Sequence, residues 1–469
     1  MSFLRPKKLS GRVVYQPTSP LTWIISDGNL SAEKEAIALA TGLKLPWEIK
    51  RVDWKKGLRW LPMPFKKMIM DYHHAVTPLS NTKKPWFLTG DSLQGPFPSF
   101  VIGCGAKTTP GVVHVSRKSG KATYSAMIHF PALPFIHFDQ VLLQKHEITV
   151  QLGRLGLMKD QKNYIQISTS LNNITSSTLE SAKKAAFDNK LIPASFFLAP
   201  SSSRRPIVTV LVGGPGEDCL GVEADRLSSR LARLVHVQQM RVLLTFSPRT
   251  TDRTKQELYR LAEQVNDPNR FFVYDPAAQA KLQQQQQQRP LTPTSFTMAG
   301  YDPTHNPYEA MLALADKIVV TADSLQMTNE ALATGKPVYI VGSEMARGKL
   351  KVFHRLLADQ HMTRAFRPGR VLVAPSSPPS SPAYSAEESQ HSSSSKKKKK
   401  TTTVKDTNFS PAPSSLETAD PLSYPGDHPP WQRTSFVGLG LAEATKLGDY
   451  LLALREARIL GRRAPTFPV

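Results

Sequence analysis

Two cysteines in 469 residues, Cys104 and Cys219, leave this sequence without a disulfide framework or a cysteine-built zinc cluster. Such sparing use of thiols fits a reducing compartment. Acidic side chains are also scarce, 37 against 60 lysines and arginines, for a formal net charge of +23. No apolar run reaches the roughly 20 residues that a membrane-spanning helix needs. Histidine, cysteine and carboxylate spacings match no metal-binding pattern, so no metal site is expected. These absences exclude the disulfide-stapled, metal-stapled and membrane-spanning classes.

What remains is long enough, at 40% hydrophobic content, for two globular domains with extra segments. Residues 1–150 carry 20 basic against 9 acidic side chains. That excess suits an anionic partner, whether a nucleotide, an acidic lipid surface or an acidic protein. No nucleic-acid recognition module is visible, so no specific nucleic acid is expected. Residues 1–26 hold Arg5, Lys7, Lys8 and Arg12 and no acid, the bias of a mitochondrial transit peptide. Pro6, Pro17 and Pro20 break up any amphipathic helix there, which weighs against a cleaved presequence.

The most informative stretch is 205–216, RPIVTVLVGGPG. Its β-rich apolar run reads as a buried parallel strand that opens into a tight glycine loop at Gly213 and Gly214. Leu227, Leu231, Leu234 and Val235 then recur at helical spacing. Strand, glycine loop and helix place backbone N–H groups where a phosphate can sit. The loop is neither Walker A nor GxGxxG, and taken alone it reads as an ordinary turn.

Strand and helix patterns alternate along most of the chain. A first βα unit is expected at 21–43, with Ser31 as the helix cap. Further strands are expected at 100–102, 126–129, 140–143 and 164–167. In the second half they fall at 207–212, 242–246, 271–274, 318–321 and 338–341. This pace argues for α/β domains with parallel sheets. Pro200 to Ser203 reads as a linker, and Gln283 to Gln288 as a surface loop. Residues 375–430 are rich in Ser, Pro and Thr, hold the Lys396 to Lys400 run, and read as disordered. Helical spacing resumes at Leu441, Ala444, Leu447, Leu451 and Leu454, which makes the disordered segment an insertion. The expected boundaries are an extension at 1–19, domains at 20–203 and 204–372, the insertion at 373–431 and a final helical segment at 432–469.

Ligands of open parallel sheets bind at the carboxyl ends of the strands. That rule gathers Gly213, Gly214, Arg249, Asn306 and Ser324 onto one edge. Arg249 offers a planar fork for phosphate or carboxylate. Asn306 can cap a helix begun by Pro307, and Ser324 can hold an anion at a helix start. Glu330 can accept hydrogen bonds from ribose hydroxyls. The ligand class is a nucleotide or nucleotide-sugar. For catalysis, Asp27 is the best-placed carboxylate of the first domain, with a turn before Gly28 as its plain alternative. His137 and Asp139 share a side if extended, but a loop histidine without a catalytic role is the simpler reading, and His73 and His74 point apart.

Three segments, WIISDG (23–28), VIGCG (101–105) and HFPALPFIHFDQVLLQKHE (129–147), resemble the first half of the mitochondrial fission family named for its elongated-mitochondria (ELM-like) member. RPIVTVLVGGPGE, LLTFSPRTT and NPYEAMLALADKIVVTADSLQMTNEALATGKPVYI resemble its second half more closely. The resemblance covers about residues 20–370 and the last helix. It implies a GT-B-like fold, two Rossmann-like domains facing a cleft, with the helix near 439–460 crossing back to the first. It further implies an adaptor that recruits a dynamin-related GTPase to the cytosolic face of the mitochondrial outer membrane, and a nucleotide side lined by Gly213, Gly214, Arg249, Asn306, Ser324 and Glu330. Bacterial relatives tend to keep a glycine- and histidine-containing turn after the first strand. This chain has Gly28-Asn29-Leu30-Ser31-Ala32-Glu33, a departure that puts acceptor-side chemistry in doubt. A glycosyltransferase-like enzyme is the alternative, and a nucleotide-sensing scaffold without turnover a third reading. The pentalysine run offers weak, reversible contact with anionic membrane.

Overall fold

The structure is a computed structural model and describes residues 19–77, 83–152, 163–197, 205–216, 218–279, 306–367, 422 and 439–467. The first sheet holds β1 (Ser19–Ser26), β2 (Trp47–Trp54), β3 (Leu88–Gly90), β4 (Pro98–Cys104), β5 (Tyr124–Ile128), β6 (Gln140–Gln144) and β7 (Tyr164–Ile167). Their order is β3-β2-β1-β4-β5-β6-β7, with only the β2–β3 pair antiparallel. The second sheet holds β8 (Ile207–Val212), β9 (Arg241–Phe246), β10 (Phe271–Tyr274), β11 (Lys317–Thr321), β12 (Val338–Val341) and β13 (Thr363–Ala365). It is parallel throughout, in the order β10-β9-β8-β11-β12-β13.

Both sheets therefore switch winding direction beside their first strand, between β1 and β4 and between β8 and β11. The loops that leave those strands open a crevice there. Continuous burial explains why the central strands are apolar without alternation: β4 and β8 are covered along their whole length. The chain forms the expected pair of Rossmann-like α/β domains. The strands β2, β3 and β13, absent from the sequence reading, lie at or beside sheet edges, where half-exposure dilutes the apolar signal.

The helix α1 (Leu30–Gly42) is capped by Asn29 and not by Ser31. Asn29 keeps extended backbone angles, and its Oδ1 accepts the Ser31 N–H at 3.1 Å, so the cap sits two residues earlier than the sequence suggested. The other described helices are α2 (Met63–Val76), α3 (Thr109–Lys118), the single turn α4 (Lys145–Glu147), α5 (Ser176–Asp188), α6 (Ala224–His236), α7 (Asp252–Val265), α8 (Tyr308–Leu314), α9 (Leu325–Ala333), α10 (Gly348–Asp359) and α11 (Leu439–Leu460).

The helix α11 packs on α1 of the first domain, where Ala444, Leu447 and Leu451 join Ala36, Leu39 and Leu43 in one core. A Cβ on Gly448 would fall on the Gly42 carbonyl, and one on Gly42 on the Ala444 carbonyl, so the two backbones touch. Glu443 adds a polar tie, accepting the Ser168 N–H at 2.8 Å and the Thr169 N–H at 3.3 Å. The segment holding Ile174, Leu179, Ala186, Ile192 and Phe196 packs instead into the core of the second sheet, with Ile207, Met311, Leu312 and Ile318.

The expected extension before β1, the linker at 200–203, the glutamine run and the pentalysine run lie outside the described residues, as does the insertion at 373–431 apart from Leu422. Leu422 is fully buried in the core of the second sheet, and its carbonyl accepts the Arg367 N–H at 3.0 Å. Among the described residues, no helix is long and apolar enough to cross a membrane.

Candidate functional site

At the switch point of the second sheet, the loops that follow β8, β9 and β11 meet in close contact. The Gly213 N–H donates to Thr321 Oγ1 at 2.7 Å, and the Thr250 hydroxyl donates to the Gly213 carbonyl at 2.7 Å. A Cβ on Gly213 would fall on Asp323 Oδ1, and one on Gly214 on the Arg249 carbonyl. Close approach, not left-handed backbone, is what requires glycine at both positions. The Arg249 guanidinium donates to the Asp323 carbonyl at 3.2 Å. Ser324 is the N-cap of α9, its Oγ accepting the Met327 N–H at 3.4 Å. A pocket of about 330 Å³, counted to its open mouth, lies between Gly213, Gly214, Pro215, Thr251, Thr254 and Asp323.

Asp323, the residue before Ser324, lines this pocket. Burial pushes its carboxyl up to about 6, against the Thr321 hydrogen bond and the Arg249 charge, which pull it back. A carboxyl raised on folding binds its proton more tightly in the native state, so stability falls as pH rises from the unfolded value near 4 through about 6. Asp323→Asn, which keeps the acceptor oxygen and cannot ionise, is expected to flatten the thermal-stability profile between those values. An unchanged slope in a pH series of melting curves would show that Asp323 is not the group responsible.

Glu330 lies in a different place. Its carboxylate accepts from Lys34 Nζ at 3.1 Å, from the Tyr308 hydroxyl at 2.5 Å and from Gln326 Nε2 at 3.4 Å. Lys34 belongs to α1, so this cluster ties the first domain to the second, and its ammonium sits 4.8 Å from the centre of the Tyr308 ring. Burial and the Glu330 charge hold the Tyr308 hydroxyl well above its usual range. Asn306 feeds the same cluster, its Oδ1 accepting the Tyr308 N–H at 3.0 Å where α8 begins. The structure thus brings Gly213, Gly214, Arg249 and the start of α9 at Ser324 together, and joins Asn306 and Glu330 to Lys34 instead.

In the first domain Asp27 shapes its own turn, Oδ1 accepting the Asn29 N–H at 3.1 Å, while Oδ2 lies 3.6 Å from Lys107 Nζ. His137 and Asp139 face different partners. Arg117 Nη2 is 3.2 Å from His137 Nδ1, whereas Asp139 takes the Ser125 N–H and hydroxyl and the Arg458 guanidinium at 2.7 to 2.8 Å. Burial, followed by the Arg117 charge, pushes His137 down to about 4. His74 falls to about 4 for the same reasons.

The sequence reading named no role for the polar cluster at the carboxyl ends of β4 and β5. Cys104 ends β4, His129 follows β5 at a left-handed φ of 64°, Glu35 reaches in from α1 and Glu147 from α4. His129 Nδ1 lies 3.0 Å from Glu147 Oε2, and Nε2 lies 3.2 Å from Glu35 Oε1. Burial opposes charge on His129, but Glu147 and Glu35 outweigh it and hold the imidazole well above its usual value. Burial pushes the Cys104 thiol up to about 11.

A third feature lies on the edge of the first sheet beside β2 and β3. Phe65, Met68, Tyr72 and Val76 form one stripe along α2, and each is more than half exposed, as are Trp60 and Trp86 nearby. Lys55, Lys56, Arg59, Lys66, Lys83 and Lys84 surround that stripe in the sequence, and Lys66 Nζ lies 5.4 Å from the centre of the Trp54 ring.

Two Rossmann-like domains, each with its switch-point loops at the strand ends and a last helix returned to the first domain, define a GT-B-like protein. A family model described as Mitochondrial fission ELM1 matches residues 32–388. The chain belongs to that family. It is 24% identical over 289 residues to the mitochondrial fission protein ELM1 of Arabidopsis thaliana, covering 57% of each chain. It is 24% identical over 360 residues to an uncharacterized protein of Rickettsia prowazekii (strain Madrid E), covering 73% of this chain and 90% of that one. Among solved structures it is similar to S. aureus MnaA in a co-structure with UDP, at 10% identity and a TM-score of 0.39 over 74% of this chain and 83% of that one.

Proposed function

We propose that this protein acts in mitochondrial fission as an adaptor that sits peripherally on the cytosolic face of the outer membrane and recruits a dynamin-related GTPase. Family membership supports the process. The observation that carries the peripheral, membrane-bound form of the proposal is the α2 face. Six large apolar side chains left in water are costly unless something covers them. Aromatic residues on a helix lying in a basic neighbourhood suit the interface of an anionic bilayer, where rings enter the headgroup layer and lysines meet lipid charge. The face lies at the β2–β3 edge, away from the α1–α9 contact between the domains, so docking leaves the rest of the body available to a protein partner.

The test is reconstitution. Full-length protein bound to phosphatidylserine-containing vesicles is expected to retain a purified dynamin-related GTPase that bare vesicles release. A folded, vesicle-bound chain that retains none would overturn the adaptor reading while leaving membrane binding intact.

A second reading, a glycosyltransferase-like enzyme using a nucleotide-sugar, is favoured by the pocket beside Gly213 and Gly214, with Arg249 bonded to the carbonyl of the lining residue Asp323. Calorimetric titration with UDP and GDP decides it. Saturable heat that Arg249→Ala abolishes would support a donor site, and no heat from the folded chain would remove it for those ligands.

A further inference from the structure

We propose that Glu35, Cys104 and His129 bind a single divalent transition-metal ion of the zinc class, with Glu147 orienting the histidine. One ligand atom from each of the three lies within 4.8 Å of the other two. His129 Nε2 stands 3.2 Å and 3.1 Å from the two Glu35 oxygens. A zinc ion held about 2.0–2.1 Å from nitrogen and oxygen keeps such ligands roughly 3.3 Å apart, so this spacing is near that of a tetrahedral edge. Glu35 is 3% exposed, and its Oε2 makes no hydrogen bond among the described residues. The group it faces is the His129 imidazole, 3.1 Å away, so a metal bound here would take the place of that ion pair.

The surroundings match how metal-bound histidines are held. Nδ1 faces Glu147 Oε2 at 3.0 Å, which leaves Nε2 directed toward Glu35. A carboxylate behind the ring in this way fixes the tautomer and the ring angle of a metal ligand. Thiolate and imidazole together select zinc, cobalt and their neighbours over magnesium and calcium, which prefer oxygen alone. Three protein ligands leave a fourth position, and the His129 side chain, one-fifth exposed, gives water access to it. The cluster lies at the strand ends, beside His146, whose ring packs 5.2 Å from Phe353 of the second domain. A ligand of the metal would therefore approach from the interdomain side. The inference is independent of the fission reading.

The test uses the full chain, reduced and desalted after incubation with zinc chloride or cobalt chloride. We expect one zinc per chain by elemental analysis, and with cobalt a thiolate charge-transfer band that Cys104→Ser removes. Glu147→Gln, which alters only the residue behind the ring, is expected to weaken metal affinity by about 10–100-fold. Cys219→Ser, remote from the cluster, is expected to match the unaltered protein. Folding of each variant is checked by circular dichroism. Failure of the folded, unaltered chain to take up either metal would overturn the proposal. So would stoichiometric uptake that Cys104→Ser and Glu35→Gln both leave unchanged.

Discussion

Phe65→Ser combined with Tyr72→Ser is expected to weaken binding to phosphatidylserine-containing vesicles by about 10- to 100-fold. Fully burying a large apolar side chain contributes about 1.5–3 kcal/mol, and a ring that enters only the headgroup layer gains about half of that. Two rings then contribute about 1.5–3 kcal/mol, which is roughly one to two decades in affinity. Both side chains are more than half exposed in the free protein, so the substitution removes little from the fold. Its melting temperature should match that of the unaltered chain. Lys55→Gln with Lys56→Gln should cost about 1 kcal/mol per charge on anionic vesicles and nothing on phosphatidylcholine alone. Raised salt should mimic the lysine substitutions and not the aromatic ones. Co-flotation that is indifferent to the aromatic pair would remove α2 as the membrane-facing element, and with it the main structural support for a peripheral adaptor.

The fold was legible where burial was uniform. Strands such as Ile207–Val212 sit in the middle of a sheet, so both faces demand apolar residues and the run stands out from its flanks. β2 hid because WEIKRVDW is mostly half-buried and mixes charges among its apolar positions. The candidate site was legible only as far as chain order implies proximity. Gly213, Arg249 and Ser324 each follow a strand of one parallel sheet, and topology alone carries them to a common edge. Glu330 lies inside α9, beyond its first turn, and its partner Lys34 is 296 residues away in another domain. No local pattern links them. The metal-type cluster was invisible for the same reason: Glu35 and His129 are 94 residues apart, and their meeting depends on how α1 folds over the ends of β4 and β5. The His129 position carried no signal either, because its left-handed backbone follows from the turn after β5 and not from a glycine in the sequence.

Lys34→Met is expected to cost more stability than Glu330→Gln, although the two substitutions break the same ion pair. The Glu330 side chain is 4% exposed and the Lys34 side chain 23%. Removing the ammonium leaves a carboxylate inside the protein with only the Tyr308 hydroxyl and the Gln326 amide as donors. Stranding a buried charge costs about 3–5 kcal/mol, and the partial exposure of Lys34 lowers the figure here to about 2–4 kcal/mol. Removing the carboxylate charge leaves an amide that still accepts from Tyr308 and a lysine long enough to reach water, a loss of about 1 kcal/mol. The double variant should therefore be more stable than Lys34→Met alone, which is the sign of a coupled pair. Because Lys34 rides on α1 and Glu330 on α9, the single lysine variant should also loosen the two domains. The polar ties from Thr169 to Asn329 and from Ser170 to Gln326, with the packing of His146 on Phe353, would then remain across the contact. Small-angle scattering should record a larger radius for Lys34→Met than for Glu330→Gln at equal folded fraction. Equal losses from both single variants, or strict additivity in the double, would mean that solvent reaches Glu330. The α1–α9 contact would then be no more than a surface encounter, and Glu330 would be free to meet a ligand from the cleft.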